Sequence, residues 1–440
     1  MENRVEGGQV VSLAPTFSLA AGQRARGQFS SPAREKTNAL GKFHMRTEDF
    51  QGLEEQVVQK GLCTACGLCV GACPSGCLEW DMEQEEPYLS GECLACGICG
   101  LACPGALIPL PLLEKKFFGR ARAQEEEYLG VYTALLRGHA KDESLRRASA
   151  SGGMTSALLI YAMEQGLIDA AVLAGMDQQR PWRTLPLLAR TPDEIRKAAG
   201  SKYQLCPSLA GLKQAKPGEK LAVVGLPCQV HGLRKLAASG EAEGLSNNIV
   251  FILGLFCGAN TSYRVTEHVI GEFSDVRLED ITKLVYRGGR DSQDIKLLCT
   301  DGSVTTISNL DRVSNYLWLI RDRCRMCPDW TAELADISLG DIFAGGQEGP
   351  WKKIPHWNGF IVRSQKGGEL VEHARQAGAI AVGPLEEAAF YGNIGFESKK
   401  HGAVYNLQQR SRHGWPTPDF GCQFNWRHRK RAPFRIDLTE

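Results

Sequence analysis

The sequence predicts a small α+β module followed by an α/β domain, and three observations carry that prediction. Nine of the 16 cysteines fall within residues 63–103, in a stretch also rich in Gly and Pro. From about Gly130 the pattern changes to alternating helical and strand-like segments. Short apolar runs at 170–174, 221–225 and 249–255 have the length of buried strands, and the β-then-α order around them is that of an α/β sheet.

Taken in order, residues 1–50 are polar, Gly/Ser/Ala-rich and aperiodic, which predicts a flexible N-terminal extension. Residues 51–110 form the Cys-rich unit. Residues 111–128, with the acidic run 125–127, read as a linker. Residues 129–420 form the α/β domain, and 421–440 a basic C-terminal tail whose run 427–431 reads as solvated. Inside the α/β domain, residues 152–165 read as a helix with Leu158, Leu159 and Ala162 on one face and Gly166 as its stop. Thr191-Pro192-Asp193-Glu194 is a start signal for a second helix. Residues 296–308 look like a hairpin around Asp301-Gly302.

The bulk numbers exclude several classes. The chain has 440 residues, 43% hydrophobic and 23% charged, with Lys+Arg 51 against Asp+Glu 50. A net charge of +1 supplies no basic face for nucleic acid. No stretch reaches the roughly 18–20 apolar residues of a transmembrane segment. Glu2 and Glu6 sit where a secretory signal would be basic and apolar, so a cytoplasmic chain is expected. Cysteines in such a chain point to metal or cluster ligation rather than disulfides.

The spacing says which. Cys63-Thr-Ala-Cys66-Gly-Leu-Cys69-Val-Gly-Ala-Cys73-Pro74 is echoed by Cys93-Leu-Ala-Cys96-Gly-Ile-Cys99-Gly-Leu-Ala-Cys103-Pro104. Each run is C-x2-C-x2-C-x3-C-P, the pattern of two-cluster ferredoxins, in which the fourth Cys ligates the other cluster. One [4Fe–4S] cluster is therefore expected on Cys63, Cys66, Cys69 and Cys103, and a second on Cys93, Cys96, Cys99 and Cys73. Zinc is disfavoured, because four-Cys zinc sites usually use two separated C-x2-C pairs. Cys77 stands outside the scheme and reads as a packed residue near the clusters. Four further cysteines are far apart: Cys228 in Gly-Leu-Pro-Cys-Gln, Cys257 in Phe-Cys-Gly, and Cys324/Cys327 in Cys-Arg-Met-Cys-Pro-Asp. Cys228 and Cys257 follow expected strands, whose ends gather at one sheet edge. Spacing alone leaves a third cluster, zinc and plain buried thiols open for these four. Cys206, Cys299 and Cys422 show no such context.

Other segments carry weaker signals. Ala150-Ser151-Gly152-Gly153 runs straight into a helix, where small residues would let a phosphate reach backbone N–H groups. Gly200-Ser201-Lys202-Tyr203-Gln204 joins a cation, hydroxyls and an aromatic, which suits a flavin or nucleotide. Ala335-Asp336-Ile337-Ser338-Leu339-Gly340-Asp341 is a strand-like run with two carboxylates. As an ordered set these segments, with the cysteine phrases above, resemble the family of beta subunits of coenzyme F420-reducing hydrogenases and dehydrogenases. That family also includes formate dehydrogenase beta subunits, F420H2 dehydrogenase subunits and the plant 7-hydroxymethyl chlorophyll a reductase. The resemblance covers roughly residues 128–420. One departure is Phe256-Cys257-Gly258-Ala259-Asn260, where the family frequently has Phe-Cys-His-Gly.

The resemblance implies an FAD beside a further [4Fe–4S] cluster held by Cys228, Cys257, Cys324 and Cys327. It also implies that Ser151, Gly152, Gly153, Gly200, Ser201, Lys202 and Tyr203 line the flavin. Lys202 is the expected residue for stabilising negative charge on reduced flavin or on an anionic substrate. The expected function is electron passage between coenzyme F420 or another hydride carrier, FAD, the clusters and a redox partner of hydrogenase, formate dehydrogenase or ferredoxin type. Two alternatives stand beside it: a ferredoxin-dependent reductase of an organic substrate such as a tetrapyrrole, and a non-catalytic relay component of a larger complex. No G-x-G-x-x-G fingerprint with a downstream acid supports NAD(P)H as donor. His139, His231 and His356 are expected to pack or face solvent, and Trp330, Trp351 and Trp357 to sit in the core.

Overall fold

The computed structural model describes residues 49–287, 293–309, 311, 316, 318–345, 352–391 and 394–424. Most of the expected N-terminal extension and basic tail, Trp351 and the run 427–431 lie outside the described residues.

The Cys-rich unit is built from two near-identical turns. The first two cysteines of each run lead into a left-handed glycine, Gly67 (φ 79°) or Gly97 (φ 70°), from which a short helix carrying the third cysteine starts, Leu68–Gly71 or Ile98–Ala102. Only a residue without a Cβ takes that conformation freely, so the glycine lets the loop turn sharply into its helix. Between the halves lies an antiparallel hairpin of β1 (Leu78–Asp81) and β2 (Glu86–Leu89), with Leu78 opposite Leu89. Phe50, Leu53, Val57, Leu62, Val70 and Leu78 form its core.

The stretch expected as a linker is largely not one. Helix Leu110–Phe118 occupies its first half, with Pro near its start and the left-handed Gly119 at its end. Leu110 and Leu113 are buried with Leu233 and Leu236 of helix Pro227–Ser239. The apolar Leu110-Pro-Leu-Leu113 stretch needed cover, and burial against that helix supplies it.

The α/β domain is centred on an eight-stranded mixed sheet. In chain order its strands are β3 (Ala134–Ala140), β4 (Ala170–Met176), β5 (Thr184–Ala189), β6 (Leu221–Gly225) and β7 (Ile249–Leu255). A separate antiparallel sheet follows, made of β8 (Ile281–Val285), β9 (Ile295–Cys299) and β10 (Val304–Ile307). Then come β11 (Ile337–Gly340), the small pair β12 (Phe343–Ala344) and β13 (Lys352–Lys353), β14 (Asn358–Val362) and β15 (Ile380–Pro384). The large sheet runs β15-β3-β14-β11-β7-β6-β4-β5. Its centre, β11-β7-β6-β4, is parallel, and the flanking pairings are antiparallel. Ala170 and Val172 face one core layer and Ala171 and Leu173 the other. Both faces are thus covered, as parallel strands require, and the strands read as continuous apolar runs.

The expected helices and hairpin are present. Helix Met154–Glu164 starts at Gly153 (φ 77°), and Thr191 and Glu194 form a capping box at helix Pro192–Lys197. β9 and β10 pair around Gly302 (φ 82°). Among the described residues no helix is long and apolar enough to cross a membrane.

The Cys-rich unit packs closely against one face of the sheet. A Cβ on Gly232 would come within 2.8 Å of Leu68 and 3.2 Å of the Ala102 carbonyl. A Cβ on Gly71 would strike the Leu209 backbone. Arg323, almost fully buried, donates to the Gly105 carbonyl at 2.8 Å and the Pro104 carbonyl at 3.2 Å.

Candidate functional site

The twelve thiols singled out by the sequence fall into three neighbouring groups. Cys63, Cys66, Cys69 and Cys103 share one environment: burial raises the Cys66 thiol to about 12, with the Cys103 and Cys63 charges adding to it. Burial likewise raises Cys69, which also feels Cys66, Cys63 and Cys103. Cys73, Cys93, Cys96 and Cys99 line a single cavity together with Cys77, Phe50 and Leu78. Cys99 is pushed up to about 12 by burial, with Cys96, Cys103 and Cys93 contributing. Each group of four therefore takes its fourth member from the other repeat, which is the exchange the duplicated spacing requires.

Cys228, Cys257, Cys324 and Cys327 come together although 99 residues separate the first from the last. Burial raises Cys228, followed by repulsion from Cys66, Cys324, Cys257 and Cys327. Burial raises Cys257 to about 12, opposed by the Lys399 ammonium. Cys228 opens helix Pro227–Ser239 after β6, and Cys257 follows β7, so both stand at the carboxyl edge of the parallel strands. The Cys324–Cys327 turn arrives from the other side, fixed by Arg323 to Gly105 and Pro104 and by Arg321 to the Cys63 carbonyl at 3.2 Å. Crowded thiols that cannot ionise alone become thiolates only when positive charge sits among them, which is what iron supplies. Among the described residues no three His, Cys, Asp or Glu side chains converge closely enough to hold a single ion. A cubane takes four thiolates at separate corners, and each group offers four thiols.

The groups adjoin one another in succession. Cys228 feels Cys66, and Cys69 feels Cys99. At the exposed end of the succession Cys96 is solvent-accessible beside Leu94, which is 64% exposed.

At the carboxyl edge of the parallel strands a polar cluster surrounds Asp341, just after β11. Ser151 donates to its carboxylate, Arg287 pairs with it at 3.2 Å, and Lys353 pairs at 3.3 Å while donating to the Ala150 carbonyl at 2.9 Å. Tyr203 bonds Arg287 and packs edge-on to Tyr286, ring centroids 5.8 Å apart. Ser151 and Tyr203, one from each of two segments read from sequence, are thereby brought to one place. Two cations to one carboxylate leave net positive charge beside aromatic rings and a helix N-terminus, a donor set that fits a phosphate-bearing flavin.

Some expected residues stand differently. The position a Cβ would occupy on Gly152 is filled by the Gly138 carbonyl and Asn358, and Asn358 accepts from the Met154 N–H at 3.2 Å. The small residue there serves the contact with β14. Half-buried Lys202 turns back on its own backbone, donating to Ala198 O at 2.5 Å and Gly200 O at 3.2 Å, and burial lowers it to about 8. His139 packs edge-on to Trp357 at 4.7 Å. His231 is more than packing: it lies 2.9 Å from the Asp329 carboxylate, buried beside the Cys324–Cys327 turn. Of the two carboxylates in the Ala335–Asp341 phrase, Asp336 is structural, accepting from Arg234 at 2.9 Å, the Ile252 N–H at 2.8 Å and Ser364 at 2.8 Å. Reading the sequence did not find Arg287, Lys353, Lys399 or the role of Asp341. An i,i+3 offset from Cys228 was the one available hint at His231.

Comparison with known proteins places the chain. The N-terminal and C-terminal models of the coenzyme F420 hydrogenase/dehydrogenase beta subunit match residues 135–213 and 218–388, together more than half of the chain. A 4Fe-4S binding domain matches residues 57–79. The chain belongs to the family of coenzyme F420 hydrogenase/dehydrogenase beta subunits and carries a 4Fe-4S binding domain. It is 29% identical to the coenzyme F420 hydrogenase beta subunit of Methanothermobacter thermautotrophicus over 66% of this chain and 99% of that one. It is 28% identical to an F(420)H(2) dehydrogenase subunit of Methanosarcina mazei, over 80% of this chain and 94% of that one. A chain of the F420-reducing [NiFe] hydrogenase complex from Methanosarcina barkeri superposes with a TM-score of 0.54 at 25% identity, over 66% of this chain and 97% of that one.

Proposed function

We propose that this chain is an iron–sulfur flavoprotein oxidoreductase that passes electrons between coenzyme F420 and a partner redox protein. The observation that carries the reading is the unbroken succession of three four-thiol groups from the carboxyl edge of the sheet to the exposed Cys96. When bound, FAD converts between the two electrons of a hydride and single electrons, and [4Fe–4S] clusters carry single electrons onward.

The chain's residues position these groups. Arg287 and Lys353 hold positive charge where a phosphate is to bind, and Asp341 fixes both cations in place. Ser151 and the N-terminus of helix Met154–Glu164 face the same cluster. Lys202 holds a proton near neutrality, and its ammonium would leave the Ala198 and Gly200 carbonyls to meet an anionic ring or substrate. Cys63, Cys66, Cys69 and Cys103 form the middle set, Cys228, Cys257, Cys324 and Cys327 the inner set, and Cys73, Cys93, Cys96 and Cys99 the outer set. Leu94 beside Cys96 gives the partner an apolar contact at the point of transfer. The hydrogenase and dehydrogenase relatives carry F420 in their names, which supports the same donor here.

Anaerobic purification followed by iron, sulfide and flavin counts tests the cofactors. Mixing with reduced F420, NADH and reduced ferredoxin in turn then tests the donor. Reduced F420 is expected to bleach the flavin band. Bleaching by reduced ferredoxin alone makes the protein a reductase of an organic substrate. A chain with iron but no flavin is a non-catalytic relay component of a larger complex.

A further inference from the structure

We propose that Cys77 is an alternate ligand of the outer cluster, able to take its fourth corner in place of Cys73. The inference rests on the cluster assignment above and concerns a thiol that assignment leaves unused.

The geometry points to it in three ways. Cys77 lines the same cavity as Cys73, Cys93, Cys96 and Cys99, making five thiols around a space whose occupant has four corners. Its Sγ lies 3.5 Å from the Cys73 Sγ, so the two sulfurs occupy nearly the same approach to the cavity. The turn Cys73-Pro-Ser-Gly-Cys77 holds this arrangement: Gly76 (φ 66°) reverses the chain, and the Cys77 carbonyl accepts the Ser90 N–H at 2.8 Å. Cys77 is buried, so packing fixes the thiol where it is. The duplication supplies an internal control, because the position four residues after Cys103 is Leu107. An apolar residue stands in one half, and a second thiol in the other.

The exchange is redox-neutral. The Cys77 thiol loses its proton as its sulfur bonds iron, the iron–sulfur bond to Cys73 breaks, and the Cys73 thiolate takes up a proton.

The test compares full-length variants purified anaerobically, read by iron and acid-labile sulfide per chain and by electron paramagnetic resonance of the reduced protein. Cys73→Ser is expected to keep the native iron count with an altered outer-cluster signal. Cys77→Ser should keep the native count and signal, and Cys73→Ser/Cys77→Ser should lose one cluster. Cys96→Ser, which has no spare thiol in hydrogen-bond contact, sets the value for a chain short of one cluster. Variants that do not accumulate are refolded from denaturant with iron and sulfide and read the same way. Loss of one cluster from Cys73→Ser alone, equal to that of the double variant or of Cys96→Ser, overturns the proposal. A native chain without iron overturns the cluster assignment itself and is seen before any variant is made.

Discussion

Asp341 sits between Arg287 and Lys353, and the balance of charge there depends on single side chains. Arg287→Ala leaves one cation facing one carboxylate, which removes the excess positive charge offered to a phosphate. A charge-assisted hydrogen bond is worth about 1.5–3 kcal/mol, so FAD is expected to bind about ten- to a hundredfold more weakly, measured by rebinding to the flavin-stripped chain. Lys202 adds a pH signature. Burial lowers its value to about 8, below an ordinary lysine, so the unfolded chain binds the proton more strongly between the two values. Stability from this group therefore rises with pH across that window, while its positive charge is full below about 8 and fades above. Lys202→Ala should slow turnover with F420 by about tenfold near pH 7 and converge with the native chain near pH ~9.5, one charged contact being worth ~1.4 kcal/mol. Equal turnover at both values would remove Lys202 from the site. At this scale the grouping of the cysteines was legible, because their repeated spacing lies within short local loops. Arg287 and Lys353 were not, because each reaches Asp341 from a different peripheral segment and neither carries a local pattern.

Elements hold these side chains, and β11 is the one on which most depends. Its entry residue Asp336 is buried and accepts from Arg234, Ser364 and the Ile252 N–H, with Lys366 3.3 Å away. Burial opposes its charge, but the Arg234 and Lys366 charges outweigh that and hold the carboxyl below its ordinary value. Its stabilisation is therefore complete above the ordinary carboxylate range and is lost as pH falls through the folded value. Asp336→Ala strands Arg234 beside an apolar core, and about 3–5 kcal/mol of stability is expected to go, measured by denaturant titration. The strands were readable from their apolar runs because both sheet faces are covered, and the helices from their caps. Helix Leu110–Phe118 was misread as linker because it is short and its partner helix is more than a hundred residues away. Helix Pro227–Ser239 has a second duty, since Gly232 admits the Cys-rich unit against its flank. Gly232→Val forces Leu68 and the Ala102 carbonyl away at about 1–3 kcal/mol, and would displace the Cys-rich unit from the sheet edge.

For the whole molecule the order of the thiol groups matters more than any one of them. The inner set is assembled by tertiary structure, from two strand ends and a distant turn, whereas the middle and outer sets lie inside residues 63–103. Sequence spacing therefore gave the local sets directly and left the inner one open, because nothing in a linear pattern states that Cys228, Cys257 and Cys324 will meet. The same difference makes the relay separable. Cys228→Ser removes a corner of the inner set, yet the eight thiols of the middle and outer sets and the packing at Gly232 stay in place. If electrons travel along the line of thiols, this variant should still reduce its outer clusters with dithionite. Reduced F420 should still bleach its flavin band, but electrons from F420 should reach a partner redox protein at least about a hundredfold more slowly, ~2.7 kcal/mol of added barrier. Stopped-flow absorbance of the flavin and iron–sulfur bands separates these steps. A variant that lacks the inner cluster and still reduces its partner at the native rate means that electrons leave from the sheet edge directly, and the Cys-rich unit is not on their path.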